Sequence, residues 1–117
     1  MQRFWKATVN TRNGLAFAIR SEQAVREEIF VLLVSLPVAW VVGVSLMRRI
    51  ELVAAVAMVL VVELLNTAIE KLADRLTTDH DLQIGRVKDM GSAAVGVAIV
   101  TAGLFWLFAL AERMGVI

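Results

Sequence analysis

The chain has 117 residues, 59% of them hydrophobic, with a mean hydropathy of +0.74 and a formal net charge of +1. So much apolar surface exceeds what a core of this size can hide, which excludes an ordinary water-soluble domain and marks an integral membrane protein. Cysteine is absent, so no disulfide staples the fold, and the balanced charge gives no reason to expect a nucleic acid partner.

Residues 1–28 mix Arg3, Lys6, Arg12, Arg20 and Arg26 with Phe4, Trp5, Val9, Leu15, Phe17 and Ile19. The mixture predicts an amphipathic helix lying at the membrane interface, interrupted near Asn13-Gly14. The segment is too charged for a secretory signal, so it is expected to remain in the mature protein. Residues 29–47 read as a first span, uncharged between Glu27-Glu28 and Arg48-Arg49 and about long enough for a ~30 Å hydrocarbon layer. Pro37 falls inside it, where a membrane helix tolerates proline.

A second span covers 50–74, uncharged from Leu52 to Val62 and acidic beyond. After a connection at 75–89 comes a third span, 90–112, uncharged from Met90 to Ala111, with Ala94, Ala98 and Ala102 at intervals suited to close helix packing. Five basic residues precede the first span, two separate it from the second, four lie between the uncharged stretch of the second and the start of the third, and one follows. The N-terminus and the second connection thus share the more basic side, which the positive-inside rule makes cytoplasmic.

The chemistry concentrates in Glu63 to Asp74. At about 100° per residue Glu63, Asn66, Thr67, Glu70 and Asp74 fall on one face of a helix. Ionisable groups in a span are costly and imply function. Glu63 and Glu70 are separated by about 10 Å along the axis, so they suit different tasks. A carboxylate near the interface can hold Mg²⁺ together with phosphate oxygens. A deeper one, desolvated, can accept a proton from a hydroxyl at the membrane surface. Asp79, His80, Asp81, Arg86, Lys88 and Asp89 bring both charge signs to the same end.

Glu63-Leu-Leu-Asn-Thr-Ala-Ile-Glu-Lys-Leu-Ala-Asp-Arg75, followed by Gly85-Arg-Val-Lys-Asp-Met-Gly-Ser-Ala-Ala-Val95, resembles the small prokaryotic integral-membrane diacylglycerol kinases of Gram-negative type. The Arg3 and Lys6 positions, Gly14-Leu15, Glu22 and Glu28 extend the resemblance over nearly the whole chain. It implies ATP-dependent phosphorylation of diacylglycerol to phosphatidic acid, by a homotrimer in the bacterial inner membrane whose sites are shared between neighbouring subunits. On this likeness Glu63 is the catalytic base, supported by Asn66, and Glu22 and Glu70 hold Mg²⁺. The resemblance assigns nucleotide contacts to Arg3, Asn10, Glu22, Glu70, Asp79, His80, Asp81, Lys88 and Asp89. It assigns lipid contacts to Arg3, Thr11, Arg12, Ala16, Ile19, Ala24, Glu28, Arg49, Glu63 and Ser92.

Asn10, Thr11, Arg12 and Asn13 depart from the family's aromatic and basic residues before Gly14-Leu15, and Ala16 stands where a basic residue can occur. No P-loop and no kinase glycine loop is present, so phosphate binding falls to Mg²⁺, Lys88 and the basic N-terminal residues. Plainer readings stand beside these roles. Glu63 could be a protonated carboxyl between helices, Asn66 and Thr67 could bond helix to helix, and Glu70, Lys71, Asp74 and Arg75 could pair locally. Asp89 could cap the third span. At the level of function, the competing readings are an undecaprenol kinase of the same fold and a non-enzymatic membrane subunit. The reading adopted is an all-α membrane protein with an N-terminal amphipathic interfacial helix and three transmembrane helices per subunit.

Overall fold

Each break between helices falls where a side chain takes over backbone hydrogen bonds. The computed structural model describes residues 1–77 and 79–117 and contains α1 (Gln2–Ser21), α2 (Gln23–Val42), α3 (Leu46–Leu76) and α4 (Leu82–Arg113). Thr78, in the expected connection, lies outside the described residues.

α1 runs unbroken through Asn13 and Gly14, against the expected interruption. A single helical glycine costs about 1 kcal/mol relative to alanine, which a helix of this length absorbs. The chain turns instead at Glu22, in extended conformation (φ −124°, ψ 117°). There the Arg26 guanidinium donates to the carbonyls of Ile19 at 2.8 Å and Arg20 at 3.2 Å, groups that the end of α1 leaves free.

The apolar run 29–47 is not one helix. α2 ends at Val42, and Gly43 to Ser45 form a tight link in which Arg49 Nε donates to the Gly43 carbonyl at 3.2 Å. Arg49 also lies over the Trp40 ring, 4.0 Å from its centre. The Ser45 hydroxyl caps α3 by accepting from the Arg48 backbone N–H at 3.1 Å, so α3 begins at Leu46, before residue 50. α4 likewise starts well before residue 90, because the Asp81 carboxylate accepts from the N–H groups of Gln83 and Ile84. Asp89 is therefore inside the helix rather than at its cap. Gly115, at φ 75°, closes α4 through Val116 N–H to Ala111 O and Gly115 N–H to Glu112 O.

α3 and α4 form an antiparallel pair, with α2 packed on α3. Its rungs are Arg48 with Glu112, Trp106 Nε1 donating to Leu52 O, Asn66 against Gly91, and Asp74 with Lys88. The core is thin, centred on Ala39, Leu52 and Ala109, while large apolar side chains such as Leu65, Leu104 and Leu107 face outward. Exposure of that kind suits lipid rather than water. α3 and α4 are each long and apolar enough to cross a membrane. The molecule is an all-α membrane protein.

Candidate active site at the acidic end of α3

The expected face of α3 exists. Asn66 and Thr67 are buried, Glu63 and Glu70 are half-buried, and Asp74 is exposed. The helical period places them in line, and the i, i+4 spacing lets Asn66 Nδ2 donate to Glu70 Oε1 at 3.2 Å. Glu28, Glu70 and Glu22 all lie within electrostatic reach of the Glu63 carboxylate. Glu22 at the α1–α2 corner, Glu28 on α2 and Glu70 on α3 thus surround Glu63 at electrostatic range without closing into a cage. Glu28 is half-buried on α2.

Glu22 reaches its position through a contact that the sequence did not predict. Lys71 Nζ lies 2.7 Å from Glu22 Oε1 and 5.2 Å from the centre of the Phe17 ring, tying the corner to α3. Asp74 pairs with Lys88 across the end of the α3–α4 pair. The alternative of local pairing does not hold for Lys71 and Asp74, which pair instead with Glu22 and Lys88 on neighbouring elements.

Asn10 and Thr11 join Gly14, Leu15, Phe17 and Ala18 of α1 in lining a groove of about 480 Å³ against Leu64, Thr67, Ala68 and Lys71 of α3. Arg12, Ala16 and Ile19 line an adjoining hollow on α1, Arg3 sits in its first turn, and Ala24 is exposed in the first turn of α2. At the α3–α4 turn Asp79 and His80 are exposed, and the Asp81 carboxylate is engaged as the helix cap. Lys88, Asp89 and Ser92 follow on α4. Arg49 stands apart. It lies at the start of α3, about 21 Å along the axis from Glu63 at 1.5 Å per residue, beside Gly43 and Trp40.

Among the described residues no three acidic or histidine side chains form a ready cage for a metal ion. The donor set fits Mg²⁺ in the mode this ion prefers, one or two carboxylates completed by phosphate oxygens and water. The corner carboxylate already has a cation in Lys71, and Asn66 engages one of the two Glu70 oxygens. Asn66 Oδ1, buried and without a hydrogen-bond partner, faces α4 at Gly91, where a β-carbon would come within 2.1 Å of it. Leaving such an atom unpaired costs about 1 to 3 kcal/mol, which the surrounding packing must sustain. Gly91 and Lys71 lie within the two family-like blocks, but the role of neither is legible there, since both act through the register between helices.

The fold and the site together define a helical membrane protein with a carboxylate-rich cluster at one end of its longest antiparallel pair. Residues 10–110 match the family described as Prokaryotic diacylglycerol kinase, and the chain belongs to that family. It is 37% identical over 113 residues to a diacylglycerol kinase of Escherichia coli K12, covering 97% of this chain and 93% of the relative. It is 36% identical over 106 residues to one from Pseudomonas aeruginosa, covering 91% and 86%, and 34% identical over 100 residues to one from Haemophilus influenzae, covering 86% and 85%. The non-enzymatic reading falls away with this membership.

Proposed function

We propose that the protein phosphorylates diacylglycerol with ATP at the membrane–cytoplasm interface, yielding phosphatidic acid and ADP. The observation that carries this reading is that Glu22, Glu28 and Glu70 lie within electrostatic reach of Glu63 in a member of this family. Counted from Arg49, a ~30 Å layer ends about twenty residues on, near Ile69. Glu70 then stands at the boundary and Glu63 about 9 Å inside it, where a lipid hydroxyl can reach it.

Glu63 takes the proton of that hydroxyl as its oxygen attacks the γ-phosphorus, and the bond from that phosphorus to the ADP oxygen breaks. Asn66 holds the Glu70 carboxylate in place, and Lys88 offers its ammonium to phosphate oxygens. Glu22 and Glu70 would hold Mg²⁺, which supplies neutralisation of the nucleotide phosphates when bound. The groove between α1 and α3 admits the lipid along Thr11, with Arg12, Ala16 and Ile19 on its flank; Arg49 has no part in this arrangement.

The finer architecture belongs to the same proposal. α2 supplies the first of three spans. Its 20 residues reach about 30 Å, the thickness of the layer, with its charged residues Arg26, Glu27 and Glu28 gathered toward the cytoplasmic end. Nine of the twelve basic residues lie in the N-terminal segment and in the adjoining ends of α3 and α4, which supports a cytoplasmic N-terminus in the inner membrane. A homotrimer is supported by the outward apolar side chains and by a groove of about 390 Å³ between α3 and α4, lined by Ala54, Ala55, Ala98 and Ala102.

The test is phosphate transfer from radiolabelled ATP by the purified protein in mixed micelles with Mg²⁺, offering diacylglycerol and undecaprenol in separate reactions. Labelled phosphatidic acid is expected. Labelled undecaprenyl phosphate in its place, or no lipid product from folded protein, would contradict the reading.

A further inference from the structure

We propose that Gly91 is a positioning residue for the reaction: it admits the Asn66 amide between α3 and α4 and holds that amide so that its NH₂ group faces Glu70. The inference rests on the proposed role of Asn66 in the site. Asn66 is only 7% exposed, and its two polar ends meet different surroundings. Nδ2 donates to Glu70 Oε1 at 3.2 Å, while Oδ1 is buried without a partner.

The orientation follows from the chemistry of the neighbours. An ionised carboxylate only accepts hydrogen bonds, so the NH₂ end must be the one turned to Glu70. The oxygen is then forced toward α4, where a side chain of any size would collide with it. A β-carbon on residue 91 would stand 2.1 Å from Oδ1 and 3.2 Å from Asn66 Cγ. Gly91 is the buried glycine of α4, whereas Gly85, Gly96 and Gly103 on the same helix face open space. At Gly91 the Cα–H that replaces a side chain points at the oxygen and is the weak donor available to it.

The collision is confined to the amide. The same β-carbon would lie 3.9 Å from Asn66 Cβ, an ordinary contact, so alanine at both positions fits without strain. This predicts a sign change that general packing at Gly91 would not give. In the natural background Gly91→Ala displaces the amide, lowers the melting temperature in detergent and lowers kcat by about tenfold or more, with KM for ATP changed less than about twofold. In an Asn66→Ala background the same substitution leaves kcat at the level of Asn66→Ala alone. There it holds or raises the melting temperature, because alanine is the better helix former.

The experiment is therefore a double-mutant cycle of Gly91→Ala and Asn66→Ala, read by kinase kinetics and thermal unfolding of the full chain. If Gly91→Ala alone does not fold, recovery of folding in the double variant supports the inference. Equal losses from Gly91→Ala in both backgrounds would overturn it while leaving the role of Asn66 intact. Normal turnover by Asn66→Ala would instead overturn the role of Asn66, and with it any effect of Gly91 on the reaction.

Discussion

Lys88 on α4 and Asp74 on α3 form an ion pair across the end of the antiparallel pair that carries Glu70. The pair bridges two helices, so Asp74 fixes where the ammonium of Lys88 stands, the group proposed to meet the nucleotide. Both side chains are partly exposed, 38% for Lys88 and 60% for Asp74, so their attraction is modest. Such pairs contribute up to about 1 kcal/mol, or about fivefold in an equilibrium constant.

Asp74→Asn is expected to raise KM for ATP by up to about fivefold, with KM for the lipid unchanged. Steady-state kinetics with each substrate varied in turn checks this. An equal effect on both substrates would point to general loosening of the helix pair.

Asp81 caps α4 through two backbone N–H groups. Asp81→Ala should lower stability by about 1 kcal/mol, and Asp81→Asn, which keeps the capping oxygen, should restore most of it. If the carboxylate contacts the nucleotide as well, Asp81→Asn will recover stability but not KM for ATP. Thermal unfolding and kinetics of the two variants separate the roles.

Lys71 joins the α1–α2 corner to α3 through Glu22 and Phe17. Lys71→Met should loosen α1, seen as faster amide hydrogen exchange over residues 10–21, and should lower turnover by leaving Glu22 without its cation. Combined with Glu22→Gln, its effect on stability should be less than the sum of the two single changes, since both remove one interaction.

The acidic face of α3 was legible because it follows from helical period alone: Glu63, Asn66, Thr67 and Glu70 share a side whatever packs against them. The membrane class was legible for a similar reason, since composition needs no register. Features that depend on two elements meeting were not. Lys71 with Glu22, Lys88 with Asp74, and Gly91 with Asn66 are set by the offset between helices, which the sequence encodes only through total packing. The break at Gly43 to Ser45 was hidden by its apolar setting, where a serine cap and the Arg49 contact to Gly43 end α2 inside a run that hydropathy reads as continuous. Asn13-Gly14 misled in the opposite direction, because open space around Gly14 leaves its helix undisturbed.

The most direct test of the account is single-turnover phosphoryl transfer by Glu63→Gln, measured beside ATP binding and oligomeric state. Loss of the carboxylate base should reduce transfer by about 10² to 10⁴, with folding and nucleotide binding retained. Turnover near that of the parent protein would contradict the assignment of Glu63 as the group that accepts the lipid hydroxyl proton.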